Sequence, residues 1–101
     1  MNTATPTPSA QRQPVFIAFQ ANNDTRPIID AIQADNPLAV VEEMPGMVKI
    51  NAPGRLVVRR ESIEEQCGRD FDMREMHVNL ISLSGEVDEG LDEFILEWKS
   101  A

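Results

Sequence analysis

Two Pro-Gly pairs, Pro45-Gly46 and Pro53-Gly54, constrain the fold more than any other feature of this sequence. Proline presets φ at the second position of a turn and glycine tolerates a positive φ at the third, so each pair fits a type II turn. Between the pairs, residues 48–51 alternate between apolar and polar side chains. A period of two indicates a strand with one solvated face. The segment therefore predicts an antiparallel meander.

Composition restricts the class of protein. The chain has 101 residues, the size of one domain, and its 17 acidic and 9 basic residues give a net charge of −8. Because that charge repels phosphate backbones, we expect no nucleic-acid partner. A lone cysteine, Cys67, excludes an internal disulfide framework and predicts a reducing, cytoplasmic location. We expect no signal peptide, because the N-terminus lacks a basic region followed by an apolar core. We expect no membrane span, because no apolar run approaches about 18 residues.

The first half of the chain predicts a βαββ unit. Residues 1–13 contain no large apolar side chain beyond the first methionine, so we expect a disordered tail that either has no role or orders on a partner. The nearly continuous apolar segment at residues 14–20 indicates a buried strand. Asp24 is a candidate N-cap for a helix that ends at Asp35-Asn36-Pro37. The unit is completed by strands at residues 38–44 and 47–52.

The second half repeats this order of elements. Ser62 and Glu65 have the spacing of a capping box, which predicts a short helix that closes at Gly68. We therefore expect one α+β domain over residues 14–101, made of two successive βαββ-type halves, residues 14–52 and 55–99. The arrangement is distantly ferredoxin-like, with small antiparallel-rich sheets and short helices. The other elements predicted there are strands at residues 56–59, 77–83 and 93–98, a helical turn at 72–76 and a loop at 84–90.

The chain lacks the residues that catalysis or metal binding requires. His77 is the only histidine, so no two-histidine metal site forms within one chain, and no strand–turn–helix pattern surrounds a serine. Cys67 lies near a predicted helix C-terminus, where the helix dipole disfavours a thiolate. The acidic segment at residues 86–93 lacks the ligand spacing and central glycine of an EF-hand. We expect no catalytic, cofactor-binding or metal-binding residue.

Six short blocks stand in a characteristic order across residues 14–99. They are VFIAFQAN at 15–22, ADNP at 34–37, PGMV at 45–48, APGRL at 52–56, RDF at 69–71 and HVNLISLSG at 77–85. In these blocks the chain resembles the coupling proteins, also called effector or regulatory components, of bacterial multicomponent monooxygenases. The resemblance is closest to the phenol hydroxylase branch.

This resemblance implies a cofactor-free protein that docks on a carboxylate-bridged di-iron hydroxylase. The hydroxylase of such a system inserts one atom of O₂ into an aromatic ring, and a separate flavin and iron–sulfur reductase supplies electrons from NADH. The effector shapes the hydroxylase active site, so that oxygenation is efficient and coupled to reductant use. The sequence leaves open the aromatic substrate, and also whether effector and reductase compete for one surface.

The resemblance also implies a contact region. It brings Asn79, Ser82, Ser84 and Gly85, at the end of the strand predicted for residues 77–83, close to the entrance of the hydroxylase active site. Small hydroxyl and amide side chains allow close backbone approach and offer hydrogen bonds. In the alternative interpretation, Asn79 and the serines satisfy local turn and edge-strand backbone groups.

Two other functions compete with this interpretation. A small ferredoxin-like domain of this size can bind a metabolite as a regulatory module, and it would then bury convergent polar groups in a pocket. A small acyl-transfer or isomerase enzyme would need a general base with an orienting partner, which the sequence does not offer. The presence of a ligand pocket therefore separates the metabolite-binding module from a docking protein.

Overall fold

The structure, a computed structural model, describes residues 13–98. This part of the chain is α+β with small antiparallel sheets and short helices, which confirms the predicted class. The tail predicted to be disordered, residues 1–13, lies outside the described residues except for Gln13. The elements are β1 (Pro14–Gln20), α1 (Arg26–Asp35), β2 (Val40–Met44), β3 (Met47–Pro53), β4 (Arg55–Arg59), α2 (Arg60–Cys67), a 3₁₀ helix (Met73–Asn79), β5 (Leu80–Ser84), β6 (Glu86–Glu89) and β7 (Glu93–Glu97).

The described strands form two antiparallel sheets. One sheet has the order β2-β3-β1-β5 and the other has the order β4-β7-β6. β5 comes from the second half of the sequence but pairs with β1, so the sheets do not divide at the predicted boundary between residues 14–52 and 55–99. The chain crosses from one sheet to the other at Gly54 and Gly85, both of which have a positive φ. The two predicted halves are therefore not separate structural units.

A single apolar core joins both sheets and both α-helices. Alternate residues of β1 point into it, as the pleat of a strand requires, and Ile17 lies opposite Ile50 of β3. The Ile28 and Ile32 side chains of α1 are buried in the same core, as their helical spacing predicts. Burial of each such side chain contributes about 1.5–3 kcal/mol, so the core is the main source of stability.

The helix α1 begins one residue later than predicted. Its N-cap is Thr25, not Asp24, and the Thr25 hydroxyl donates to the carbonyl oxygen of Gln20 at 2.7 Å. Thr25 is fully buried, and its backbone N–H is also satisfied by the side chain of Asn22 at 3.0 Å. Tertiary contact with the end of β1 therefore decides the start of the helix.

Asn36 ends α1 and attaches it to the second sheet. Its amide nitrogen donates to the carbonyl oxygens of Ile32 and Val57, at 2.8 and 2.7 Å. Its amide oxygen accepts from the backbone N–H of Val57 at 2.9 Å. The side chain thus pairs with β4 as a neighbouring strand would, which protects this edge of the sheet.

The capping box predicted at Ser62 and Glu65 is wrong. The helix α2 starts earlier, at Arg60, so that Ser62 lies within it. A capping box occurs instead at the start of the 3₁₀ helix, where Asp72 accepts from the backbone N–H of Arg74 and Glu75 accepts from that of Asp72. The predicted end of α2 is confirmed, since Gly68 has a φ of 72° and donates to the carbonyl oxygen of Glu64.

The loop predicted for residues 84–90 is a strand over most of its length. Residues Glu86–Glu89 pair with β7, so that Val87 lies opposite Leu96. The acidic composition has low β-propensity, but pairing with an apolar neighbouring strand overrides it. The strand predicted at residues 93–98 is confirmed over Glu93–Glu97.

The two Pro-Gly pairs have different roles. Pro45-Gly46 connects β2 to β3 as a two-residue hairpin, as predicted, and Gly46 has a φ of 73°. Pro53-Gly54 does not extend the meander, because β3 and β4 belong to different sheets. Gly54 also has a positive φ, of 82°, at this crossover. A turn signal therefore located the bend but not the partner of the strand that follows it.

Candidate functional site

The predicted contact region centres on β5, an edge strand of the four-stranded sheet. Within residues 13–98, β5 pairs with β1 alone, so its other edge is unpaired. It is also the only edge strand of the two sheets without a charged side chain, and charged side chains commonly protect such edges from other chains. The other edge strands all carry charges: Glu42 and Glu43 in β2, Arg55 and Arg59 in β4, and Glu86, Asp88 and Glu89 in β6.

A β-bulge changes which side chains of β5 face solvent. Phe19 pairs with Leu80 and Ala18 pairs with Ser82, so Ile81 is the additional residue. As a result Leu80 and Leu83 pack against the core, although they are three positions apart. Ile81 and Ser82 are both exposed. The bulge therefore interrupts the alternation of faces that a regular strand over residues 77–83 would have.

Asn79 lies outside the strand to which it was assigned. It is the last residue of the 3₁₀ helix, as residues 77–79 are helical, and it is half-buried. Its side-chain oxygen accepts from the amide nitrogen of Asn22 at 3.0 Å. This bond joins the start of β5 to the loop after β1. Asn79 therefore orders the entrance to β5 through a side-chain contact, not by satisfying nearby backbone groups.

Ser82 and Ser84 lie on the outer face of the four-stranded sheet. They are opposite Ala18 and Phe16 of β1, and the Phe16 ring on that face lies 4.3 Å from the Nζ of Lys49. Within residues 13–98, neither serine side chain hydrogen-bonds to a protein group. The alternative interpretation, in which the serines satisfy local backbone, therefore has no support in these residues.

Packing within this chain is itself a reason for glycine at position 85. It has a φ of 137° and lies between β5 and β6, where the chain passes from one sheet to the other. A Cβ at this position would lie 2.9 Å from Cδ1 of Leu96 and 3.1 Å from Cγ1 of Val15. Only glycine allows this close approach to the core, so the residue shapes the end of β5 whether or not it contacts a partner.

The sequence interpretation missed the apolar surface beside these polar residues. Val78 is 75% exposed and Ile81 is 47% exposed, and only Asn79 and Leu80 separate them along the chain. Single exposed apolar side chains are common on folded proteins. Exposed aliphatic side chains next to an unpaired strand edge, however, indicate a surface that another chain can contact. The available signal was the absence of acidic and basic residues throughout residues 78–85.

The grooves of the described structure do not resemble a metabolite site. One groove of about 1080 Å³ runs between α2 and the 3₁₀ helix, and most of its charged side chains form ion pairs within the groove or with residues at its edge. Within residues 13–98, no cluster of three or more His, Cys, Asp or Glu side chains could hold a metal ion. The groove therefore offers a ligand few unpaired polar groups. Its ion pairs are Arg60–Asp92 at 2.9 Å, Arg69–Glu75 at 3.1 Å and Arg74–Asp72 at 2.7 Å.

Charge–charge contacts in this groove change the acidity of its carboxyl groups. Hydrogen bonds from the Arg74 side chain and backbone lower the pKa of Asp72 to about 2. The backbone N–H of Asp72 and the guanidinium of Arg69 lower the pKa of Glu75. Both carboxyl groups are solvent-exposed, and the contacts fix the start of the 3₁₀ helix that leads to β5. The paired charges of the groove therefore have a structural role, because they hold the start of the 3₁₀ helix in place.

His77 and Cys67 have packing roles. His77 is in the 3₁₀ helix, not at the entrance of a strand, and its Nε2 lies 2.7 Å from a carboxylate oxygen of Glu89 in β6. Its ring also contacts that of Phe94 edge-on, with a centroid separation of 6.2 Å. Cys67 is a free, half-buried thiol against the core. No helix of residues 13–98 has the length and apolar character needed to cross a membrane.

Known proteins are similar to this chain over most of its length. The chain is 50% identical over 86 residues to the stimulatory component DmpM of phenol 2-monooxygenase from Pseudomonas sp. (strain CF600). The matched residues make up 85% of this chain and 96% of that protein. It matches a chain in a structure of the phenol hydroxylase–regulatory protein complex at 50% identity, with a TM-score of 0.83, over 86% of this chain and all of the other.

A more distant similarity concerns the fold alone. The soluble methane monooxygenase regulatory protein B matches with a TM-score of 0.68 at 21% identity, over 97% of this chain and 71% of that protein. The model of the MmoB/DmpM family matches residues 13–97, which include every described helix and strand. This chain belongs to the MmoB/DmpM family.

Proposed function

We propose that this chain is the non-catalytic regulatory component of a multicomponent phenol or other aromatic monooxygenase. It docks on the di-iron hydroxylase component and promotes efficient O₂-dependent ring hydroxylation that is coupled to NADH oxidation. The observation that carries this proposal is the 50% identity to a phenol 2-monooxygenase stimulatory component across nearly all of both chains. The structural match to a chain of a phenol hydroxylase–regulatory protein complex supports the same partner.

A regulatory role of this kind requires a surface and no catalytic group. A protein that binds one state of its partner more tightly than another shifts the partner toward that state, by at most the difference in binding free energy. A bound effector can thus alter the hydroxylase active site from outside it. The chain has the features that such a mechanism needs: a rigid core and an edge strand with an uncharged, exposed surface.

We place the contact with the hydroxylase at β5 and the residues that flank it. Ser82 and Ser84 supply hydroxyl groups on the outer face, and Asn79 fixes the entrance of the strand. Gly85 contributes through the shape of the strand end, because its position is dictated by Leu96 and Val15. The free thiol of Cys67 is consistent with a cytoplasmic location for both proteins.

Substitution of the serines tests the assignment of this surface. Ser82→Leu and Ser84→Leu should leave the fold intact but weaken binding to the purified hydroxylase, because each adds a bulky side chain to a closely approached surface. Ser62→Leu in α2 is the matched control. Isothermal titration calorimetry gives the affinity, and phenol consumption with the reductase present gives the turnover. Folded β5 variants with the affinity and turnover of the wild type would contradict the assignment.

The same titrations address the reductase. If the reductase and this chain use one surface of the hydroxylase, excess reductase should reduce the apparent affinity measured for this chain. Separate surfaces would leave that affinity unchanged. Either result is compatible with docking, so the experiment defines the interplay between the two components without changing the proposed role.

A further inference from the structure

Val78 is one of several strongly exposed aliphatic side chains in residues 13–98, and the residues on both sides of it make side-chain contacts with distant parts of the chain. It lies near the end of the 3₁₀ helix, which buries Met73 and Met76 in the core and leaves Val78 75% exposed. β5 begins two residues later, at Leu80. The 3₁₀ helix thus presents one aliphatic side chain to solvent immediately before the edge strand.

Both neighbours of Val78 are tied to distant parts of the chain. His77, which precedes it, contacts Glu89 of β6 with 2.7 Å between Nε2 and Oε2. Asn79, which follows it, accepts from Asn22 in the loop after β1 at 3.0 Å. Glu89 is 12 residues from His77 and lies in the three-stranded sheet. Asn22 is 57 residues from Asn79 and lies in the loop that follows β1. Val78 is therefore held from both sides.

The His77–Glu89 and Asn22–Asn79 contacts, the two tethers of Val78, cost side-chain entropy. Burial of Val78 within this chain does not offset that cost, because the side chain is exposed. Ordering a side chain removes rotamer freedom, and exposed polar contacts contribute little to stability in return. Their effect is to fix the position of an apolar side chain that buries little surface in this chain. Fixing a contact residue before binding reduces the entropy lost on association, which is how preorganisation increases affinity.

The charge around Val78 indicates what covers it. Glu89 of β6 contacts His77, the residue before Val78 in the sequence, so a carboxylate lies beside this part of the surface. A second copy of this chain, with a net charge of −8, would bring acidic groups against acidic groups. A larger partner with an apolar hollow and basic residues at its rim fits instead.

We propose that Val78 is the apolar anchor of the docking surface, inserted into a basic-rimmed hollow of the hydroxylase, and that the His77–Glu89 and Asn22–Asn79 pairs hold it in position. This inference rests on the proposed function, and it adds the anchor residue, the means by which it is positioned and the chemistry of the hollow. A few side chains that fill desolvated pockets of the partner, ringed by weaker contacts that exclude water, carry most of the binding free energy at an interface.

Val78→Ala tests the anchor. Removal of two methyl groups from a buried contact should weaken binding to the purified hydroxylase about tenfold. Val40→Ala is the matched control, since Val40 is 60% exposed on β2, at the opposite edge of the same sheet. It should change the affinity less than twofold. Calorimetric titration provides both values, and thermal unfolding confirms that each variant is folded.

The tethers require a different measurement, because a loss of affinity alone would also follow from a local structural change. In the Asn22→Asp/Glu89→Ala background, the residue at position 22 keeps the oxygen that accepts from Thr25 but loses the amide nitrogen that bonds Asn79. Val78 is then no longer held, so Val78→Ala should cost about threefold instead of tenfold. Binding should also weaken as salt increases, and less steeply when Glu89 is replaced, if the rim of the hollow is basic.

The outcomes separate this inference from the proposed function. If the wild-type chain binds and stimulates the hydroxylase while Val78→Ala binds equally well, the anchor is refuted and the proposed function stands. If the wild-type chain neither binds nor stimulates, the proposed function fails. An equal cost of Val78→Ala with and without the tethers would refute the positioning role. A wild-type chain that sediments as a dimer, which Val78→Asp converts to a monomer, would assign Val78 to self-association and overturn the proposal.

Discussion

Gly85→Ala is the substitution whose effect the structure defines most closely. The new Cβ would lie 2.9 Å from Cδ1 and 3.0 Å from Cγ of Leu96, which is fully buried, and 3.1 Å from Cγ1 of Val15. The residue would also keep a φ near 137°. Strain at such a φ costs about 1–3 kcal/mol, and overpacking of a core costs about 1–3 kcal/mol. We therefore expect the free energy of unfolding to fall by about 2–6 kcal/mol.

That loss is large for a domain whose total stability is about 5–15 kcal/mol. The unfolding midpoint should fall by about 8 °C or more, at about 4–8 °C per kcal/mol for this size. Circular dichroism and the fluorescence of Trp98 can follow the transition. Gly68→Ala is the control, because Gly68 has a φ of 72° but no atom within 4 Å of the added Cβ. Equal midpoints for the two variants would refute the argument that close packing requires glycine at position 85.

Three further predictions concern stability. Asn36→Ala should destabilise the fold by about 1–3 kcal/mol in urea titrations, because the backbone groups of Val57 lose their partners. Asp72 has a pKa of about 2 against an ordinary 3.8, so its contribution is complete above about pH 4 and is lost as the pH falls toward 2. Asp72→Asn should therefore reduce the acid sensitivity of the unfolding midpoint, whereas a slope unchanged from wild type would contradict this role. Deletion of residues 1–13 should leave the thermal midpoint nearly unchanged, and a fall of several degrees would show that they pack on the core.

Local signals predicted the parts of the fold that local chemistry determines. The Pro45-Gly46 hairpin, the strand at residues 14–20 and the end of α2 at Gly68 all depend on backbone preferences of neighbouring residues. The outcome differs where two positions offer the same signal. Ser62–Glu65 and Asp72–Glu75 both have capping-box spacing, and only tertiary packing decides that the second pair caps a helix.

The family resemblance proposes a position for the candidate site, and only the structure supplies the geometry of the residues there. The block at residues 77–85 contains the polar residues of the β5 surface, as the family resemblance implied. A bulge at Ile81 then reverses the alternation that a regular strand would have, and a bulge leaves no distinct pattern in a short apolar segment. The contact between Asn22 and Asn79 joins residues 57 positions apart, so no local pattern could reveal it. Sheet membership of β5 likewise depends on long-range pairing with β1.

The central claim is that this chain makes its hydroxylase use reductant productively, and the ratio of NADH oxidised to phenol hydroxylated tests it most directly. The measurement combines purified hydroxylase and reductase with increasing amounts of this chain. We predict that the product formation rate rises to saturation while the ratio falls toward equal amounts of NADH and product. A ratio and a rate that remain the same from zero to saturating concentrations of the folded chain would contradict the account.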